Sequence, residues 1–329
     1  MITGGNGSYG GGVCINPNAT FTMKGGTIYN CSATVYGGGV HIDTNSSFIM
    51  NGGSIKNCSA TLDGGGGGVS IFENSSFTMN GGLIQSCTAF FGGGVYSIAD
   101  STFTMNDGTI EDCTESSPLA QSNSISNGNI MYANGGTVKG TVNNPGGTIE
   151  STNSDGCTRF YDKVTNSGTI SGGIYYSDIQ NDSTGTVSEP YYTVSFELNG
   201  GSGSVPTQWF VNVSTETVLQ PDDPTKEGSI FAGWYNGDTI YDFTESVTES
   251  ITLTAKWISG NVSSESELKD ALNAGFTSIK LLGNIQLSGT LNLSDKIITL
   301  DLNGYTLKGN ILMADTQAAP KSILTLIDS

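Results

Sequence analysis

Four stretches of this chain carry the same residues in the same order at the same spacing: Val13 to Cys31, Val40 to Cys58, Val69 to Cys87 and Val95 to Cys113. Each runs Gly-Gly-Gly-Val, then Phe-x-Met, then Gly-Gly or Asp-Gly, then Ile, then Cys. Every Val-to-Cys separation is 18, whereas the link from Cys to the next Val is 9, 11 or 8 residues long. A body of fixed length with one elastic link is expected of stacked coils. Neighbouring coils must keep register, while a loop on one face can grow.

The spacing is that of strands. Val40-x-Ile42 and Phe48-x-Met50 alternate with period two, and β-branched and aromatic residues sit among Ser, Thr and Gly. Three short strands in each 26 to 29 residues, broken by Gly and Asn turns, predict one rung of a right-handed parallel β-helix. Identical residues would then stack about 4.8 Å apart. In the second rung Val40, Ile42, Phe48, Met50, Ile55 and Cys58 are expected to point inward. At about 1.5–3 kcal/mol for each full burial, they offset the ordering of the rung only when rungs above and below cover them. Asn45 and Asn74, with Asn18 and Asp100 in equivalent places, are expected at one turn, and Asn51, Asn80 and Asn106 at another. Asn tolerates the left-handed turn conformation, and its amide can bond the rung above. The repeat cysteines read as a column of small buried hydrophobes, and Cys14 as outward-facing.

After Cys113 the repeat breaks down. Residues 115–129 read as a longer loop, and the phrases Gly136-Thr-Val138, Gly147-Thr-Ile149, Gly168-Thr-Ile170 and Gly185-Thr-Val187 as smaller rungs that end near residue 188. Glu189-Pro190 punctuates the boundary. The chain therefore divides into residues 1–190, a β-helix, followed by 191–258 and 259–329.

In the second segment come Tyr192-Thr-Val-Ser-Phe-Glu-Leu-Asn-Gly-Gly201, Phe231-Ala-Gly-Trp-Tyr235 and Ile251-Thr-Leu-Thr-Ala-Lys-Trp257. These resemble the Listeria–Bacteroides repeat, the B-repeat of internalin-type proteins. The resemblance implies a small β-grasp-like module used in tandem on bacterial surface proteins. Trp234 and Trp257 read as core residues. The stretch from Gly201 to Val213 departs from the pattern and leaves Trp209 and Phe210 partly exposed in this reading.

In the third segment Ser264-x-x-Glu267 is a capping box opening an amphipathic helix with Leu268, Ala271 and Leu272, stopped by Gly275. Short strands follow. The order of helix, strands and Leu300-Asp-Leu-Asn-Gly-Tyr-Thr-Leu307 resembles the N-terminal cap of pectate-lyase-like β-helices. It implies the helix-capped start of a second β-helix. The first residues carry no export-signal pattern, and the two chain ends read as parts of one unit. We therefore expect tandem copies of cap, β-helix and B-repeat in a larger parent chain.

Charge narrows the function. The 329 residues carry a net charge of −18 with a single His, His41, and a single Arg, Arg159. A nucleic-acid partner is not expected, since neutralising phosphates needs a basic face. With no run of 18 apolar residues, neither is membrane insertion. No metal or other cofactor is expected, because the cysteines lack ligand spacing and a His partner. β-Helices include polysaccharide lyases and glycoside hydrolases, so an enzyme of that class is the alternative. It would need converging charged groups. Arg159 lies outside the regular rungs, Asp43, Asp63 and Glu73 are scattered, and no catalytic residue is assigned.

The expectation is a non-catalytic, extracellular repeat protein of the bacterial surface, an adhesin or stalk segment, whose partner would be a glycan or a host surface protein. The candidate ligand-binding residues are aromatic. Tyr9, Tyr36 and Phe91 precede successive Gly-Gly-Gly runs, with Gly65 interrupting the column, and His41 and Tyr96 lie nearby on the outward side. Such a stripe could stack on sugar rings. The plainer alternative is that it packs across a turn and shields the rung edge.

Overall fold

The period-two columns become three parallel ladders in the computed structural model, which describes residues 1–98, 100–116, 123–152, 157–213, 215–314 and 322–329. In the first ladder Val13, Val40, Val69 and Val95 lie in register and continue as Ile125, Val142, Val164 and Ile179. In the second, Phe21, Phe48, Phe77 and Phe103 are followed by Met131, Ile149, Ile170 and Val187. In the third, Ile2, Ile28, Ile55, Ile84 and Ile110 are followed by Val138, Phe160 and Tyr175. The chain is mainly β, a parallel β-solenoid, and the Gly-Thr-Val/Ile phrases do continue it. The six inward residues of the second rung are all buried. The phenylalanine rings stack face to face at 5.1, 4.9 and 5.1 Å between centroids.

The turns follow the asparagines. Asn18, Asn45, Asn74 and Asp100 all have positive φ. The Asn80 amide donates to Asn51 at 2.8 Å, Asn106 to Asn80 at 2.8 Å and Asn134 to Asn106 at 3.1 Å. A second ladder of this kind, not anticipated, lies farther along and is buried except at its last member, Asn181. Asn127 donates to Asn144, Asn144 to Asn166 and Asn166 to Asn181, each at 2.7–2.8 Å.

Cys31, Cys58, Cys87 and Cys113 are buried in a column, Cys14 is exposed, and all six cysteines are thiols. A thiol reagent should modify Cys14 in the folded protein and reach the four column thiols only on unfolding. Burial, and then the nearby Asp43, push the Cys14 thiol up, so its labelling should quicken as pH is raised. Native-state modification of Cys58 and Cys87 at the rate of Cys14 would contradict the inward register.

Three expectations need correcting. Phe210, read as partly exposed, is fully buried on the strand Gln208–Val211, where only Trp209 is half-buried. The link between Cys and the next Val is not a plain loop, because it holds a fourth short parallel ladder of Asn6–Tyr9, Ser32–Tyr36, Ser59–Ala60, Thr88–Ala89 and Thr114–Glu115. Its inward residues are Ala33, Ala60 and Ala89, too small to register as a hydrophobic period. Residues 115–129, read as a loop, include the strand Asn123–Asn127, with Ile125 beside Val95. Residues 117–122 of that stretch lie outside the described residues.

Chain contacts define two compact units. The first comprises Met1–Ser195, Pro206–Gln220 and Asp242–Ile251. In it, Gln208–Val211 runs antiparallel to Gly173–Tyr175 on one side and to residues 191–194 on the other. Arg159 grips both Glu216 carboxylate oxygens, at 3.0 and 2.8 Å.

The second unit comprises Phe196–Val205, Pro221–Tyr241 and Thr252–Ser329. Residues 229–235 pair antiparallel with 254–259. Trp234 is buried, edge-on to Phe196 and Phe231, as a core residue should be. Trp257 is half-buried and donates from Nε1 to the Leu198 carbonyl at 2.9 Å.

The helix Glu265–Asn273 forms where its signals placed it, with Gly275 at φ +90° beyond its end. Ser264 Oγ accepts from the Glu267 amide at 3.2 Å, but the return arm of the box is shifted by one residue: the Glu267 carboxylate accepts from the Ser263 amide at 2.6 Å. Leu268, Ala271 and Leu272 pack on parallel strands through Val262, Ile279, Leu281, Ile285 and Leu300.

Candidate functional site

The aromatic face of the first unit arises from two neighbouring strand sets. Tyr9 and Tyr36 are register partners at the ends of Asn6–Tyr9 and Ser32–Tyr36, and Gly65, on the next rung, pairs with Phe91 on the one after. From the adjoining ladder, Cys14, His41, Ser70 and Tyr96 project outward in one column. Gly65 interrupts the first column, and Tyr96 fills the gap: a Cβ on Gly65 would overlap the Tyr96 ring. The result is one continuous row. Tyr9 stacks on Tyr36 at 6.2 Å, Tyr36 on Tyr96 at 6.2 Å with 3° between planes, and Tyr96 on Phe91 at 5.9 Å.

Accessibility along the row is uneven. Tyr9 is 48% and Phe91 37% exposed, and Tyr36 and Tyr96 are half-buried. His41 is only 3% exposed. It does project outward, as expected from the strand alternation, but Tyr9 packs on it at 5.1 Å and Phe72 at 4.8 Å. Little of its ring is therefore left for a ligand to meet. Its Nδ1 lies 2.8 Å from Ser70 Oγ. Burial holds the His41 pKa below its usual value against the opposing pull of Asp43, so the ring is neutral near pH 7. Burial, and then Tyr36 and Glu115, raise the Tyr96 phenol, leaving its hydroxyl a donor at neutral pH.

Phe72 is the residue that sequence reasoning missed. It meets Tyr36 edge-on at 4.8 Å and closes the row from the side. Its signal was present: the equivalent positions in the two preceding rungs hold polar residues, Asn16 and Asp43. Beside the row, Tyr9, Cys14, Asn16, His41, Asp43 and Phe72 line a cavity of about 330 Å³. Aromatic walls with an amide and a carboxylate at the rim suit a ligand that has both apolar faces and hydroxyls. Among the described residues no three of His, Cys, Asp or Glu are grouped to hold a metal ion, and no helix is long and apolar enough to cross a membrane.

Residues 192–256 match the model of the Listeria-Bacteroides repeat domain. Two proteins of Evansella cellulosilytica, provisionally named as a membrane protein and a Gly-rich membrane protein, are 41% identical over 76 residues and 40% over 72. Those stretches are 21% and 20% of this chain but 11% and 8% of the relatives, so the chain matches about a tenth of the length of either. No solved structure matches the chain.

Proposed function

We propose that this chain is a non-catalytic segment of a bacterial cell-surface or secreted repeat protein, and that its aromatic row binds a glycan or a host surface protein. The observation that carries this reading is the unbroken stack Tyr9–Tyr36–Tyr96–Phe91, exposed at both ends and bordered by a polar-rimmed cavity. Rings used only for packing would gain more by being covered throughout. The Listeria-Bacteroides repeat, which occurs in surface proteins, supports the location. A right-handed winding, a β-grasp-like module at 191–258, a helix-capped start of a further β-helix and tandem copies in a longer chain belong to the same reading. Tandem copies would multiply a weak contact through effective concentration.

The test is chromatography on immobilised mucin glycans and pectins, with product analysis. Retention without cleavage, lost in Tyr36→Ala at unchanged melting temperature, is the expected result. Release of unsaturated or reducing-end products, abolished by replacing a carboxylate, would turn the assignment to the polysaccharide-degrading alternative. Absence of any retention would leave an inert stalk.

A further inference from the structure

We infer that the far end of the solenoid carries a second binding site, a pocket for a neutral sugar ring with Trp209 as its platform. The last turns of the first ladder set Val164 against Ile179 and Thr165 against Gln180. Lys163 and Asp178, one residue earlier on each strand, therefore flank one another, and the Val164 amide donates to the Asp178 carbonyl at 3.1 Å. Across from them, Gln208–Val211 folds back antiparallel on Gly173–Tyr175 and brings Trp209 to this end. Lys163, Asp178, Ile179, Gln180, Thr207 and Trp209 line an open pocket of about 320 Å³, at the small end of ligand pockets.

The platform is held firmly. Part of the indole packs on the solenoid core, Tyr191 lies 5.4 Å away, and the strand is hydrogen-bonded on both sides. The same residue lines the pocket. The Thr207 amide donates to Asp178 Oδ1 at 3.3 Å, so the carboxylate is tied down from the same strand.

The lining selects a ligand class. Gln180 offers both a donor and an acceptor, Asp178 accepts and Lys163 donates, which matches hydroxyls that do both, while the indole face suits the C–H face of a pyranose. Lys163 and Asp178 cancel locally, and the chain as a whole carries −18. A sulfated or sialylated chain would be repelled, so the ligand is a neutral glycan. The ligand class rests on the glycan reading above, but the residues are separate from the aromatic row.

The test is titration calorimetry of the full chain with chitotriose and mannotriose, and with a heparin-derived oligosaccharide for contrast. Gln180→Ala, an exposed side chain, should weaken trisaccharide binding by about tenfold at unchanged melting temperature. Trp209→Ala should abolish it, and Tyr36→Ala should leave this binding intact. No heat with either neutral trisaccharide at millimolar concentration, equal binding by folded Gln180→Ala, or preference for the heparin fragment would overturn the inference. Loss of mucin-glycan retention in Tyr36→Ala alone, with no Trp209-dependent binding, would overturn this second site and leave the aromatic row standing.

Discussion

Gly67→Ala is expected to unfold the middle of the solenoid, at a cost of roughly 3 kcal/mol or more, the upper side of the range for overpacking a close-packed interior. Each Gly-Gly-Gly run carries the chain across the fourth ladder, and its second glycine faces backbone rather than side chain. A Cβ on Gly67 would lie 2.5 Å from both the Gly93 carbonyl oxygen and the Thr88 amide nitrogen. Neither can retreat cheaply. The Thr88 amide donates to the Cys58 carbonyl at 2.9 Å and the Gly93 carbonyl accepts from Gly68 at 3.0 Å, so moving them breaks the ladder. Gly38 and Gly93 face the backbone of Ser59 and Thr114 in the same way. Gly25, with open space around its Cβ position, is the control: Gly25→Ala should change stability by about 0.5 kcal/mol or less. Urea melts followed by far-UV circular dichroism read both. A loss below about 1 kcal/mol for Gly67→Ala would mean that the turn is looser than its packing.

The same glycines mark where sequence reading succeeds and where it stops. The inward columns were legible because large apolar residues recur with period two and identical spacing, a pattern that only stacking satisfies. The row of Tyr9, Tyr36 and Phe91 was legible because each ring precedes a Gly-Gly-Gly run. The fourth ladder was not, because Ala60 and Ala89 carry too little apolar contrast against Ser and Thr. Tyr96 was visible as an outward residue, but its insertion over Gly65 depends on a missing side chain one ladder away. His41 was legible as outward yet not as covered, since the cover comes from Tyr9 and Phe72 on neighbouring rungs. The Trp209 pocket joins residues from segments assigned to different domains by their sequence grammar, so no local pattern could assemble it.

Phe77→Ala should lower the stability of the solenoid by about 3–5 kcal/mol, as for other buried aromatic truncations. Phe77 is fully buried and lies between Phe48, at 4.9 Å and 6°, and Phe103, at 5.1 Å and 8°. Removing it opens a cavity inside a stack whose neighbours cannot close over it. Ser76, Phe77, Thr78 and Met79 are held in register against residues 47–50 on one side and 102–105 on the other. The loss should depend on position in a way that a generic hydrophobic effect would not. Phe21 stacks on Phe48 at 5.1 Å and is only partly buried, so Phe21→Ala should cost clearly less than Phe77→Ala. A double-mutant cycle between Phe48 and Phe77 should return a coupling of about 0.5–1.5 kcal/mol, the added worth of an aromatic pair. Solenoids can melt in segments, so near-UV and far-UV signals should be followed together to assign the loss to the phenylalanine column. Equal losses for Phe21→Ala and Phe77→Ala, or a Phe77→Ala loss below about 1 kcal/mol, would contradict a covered central stack.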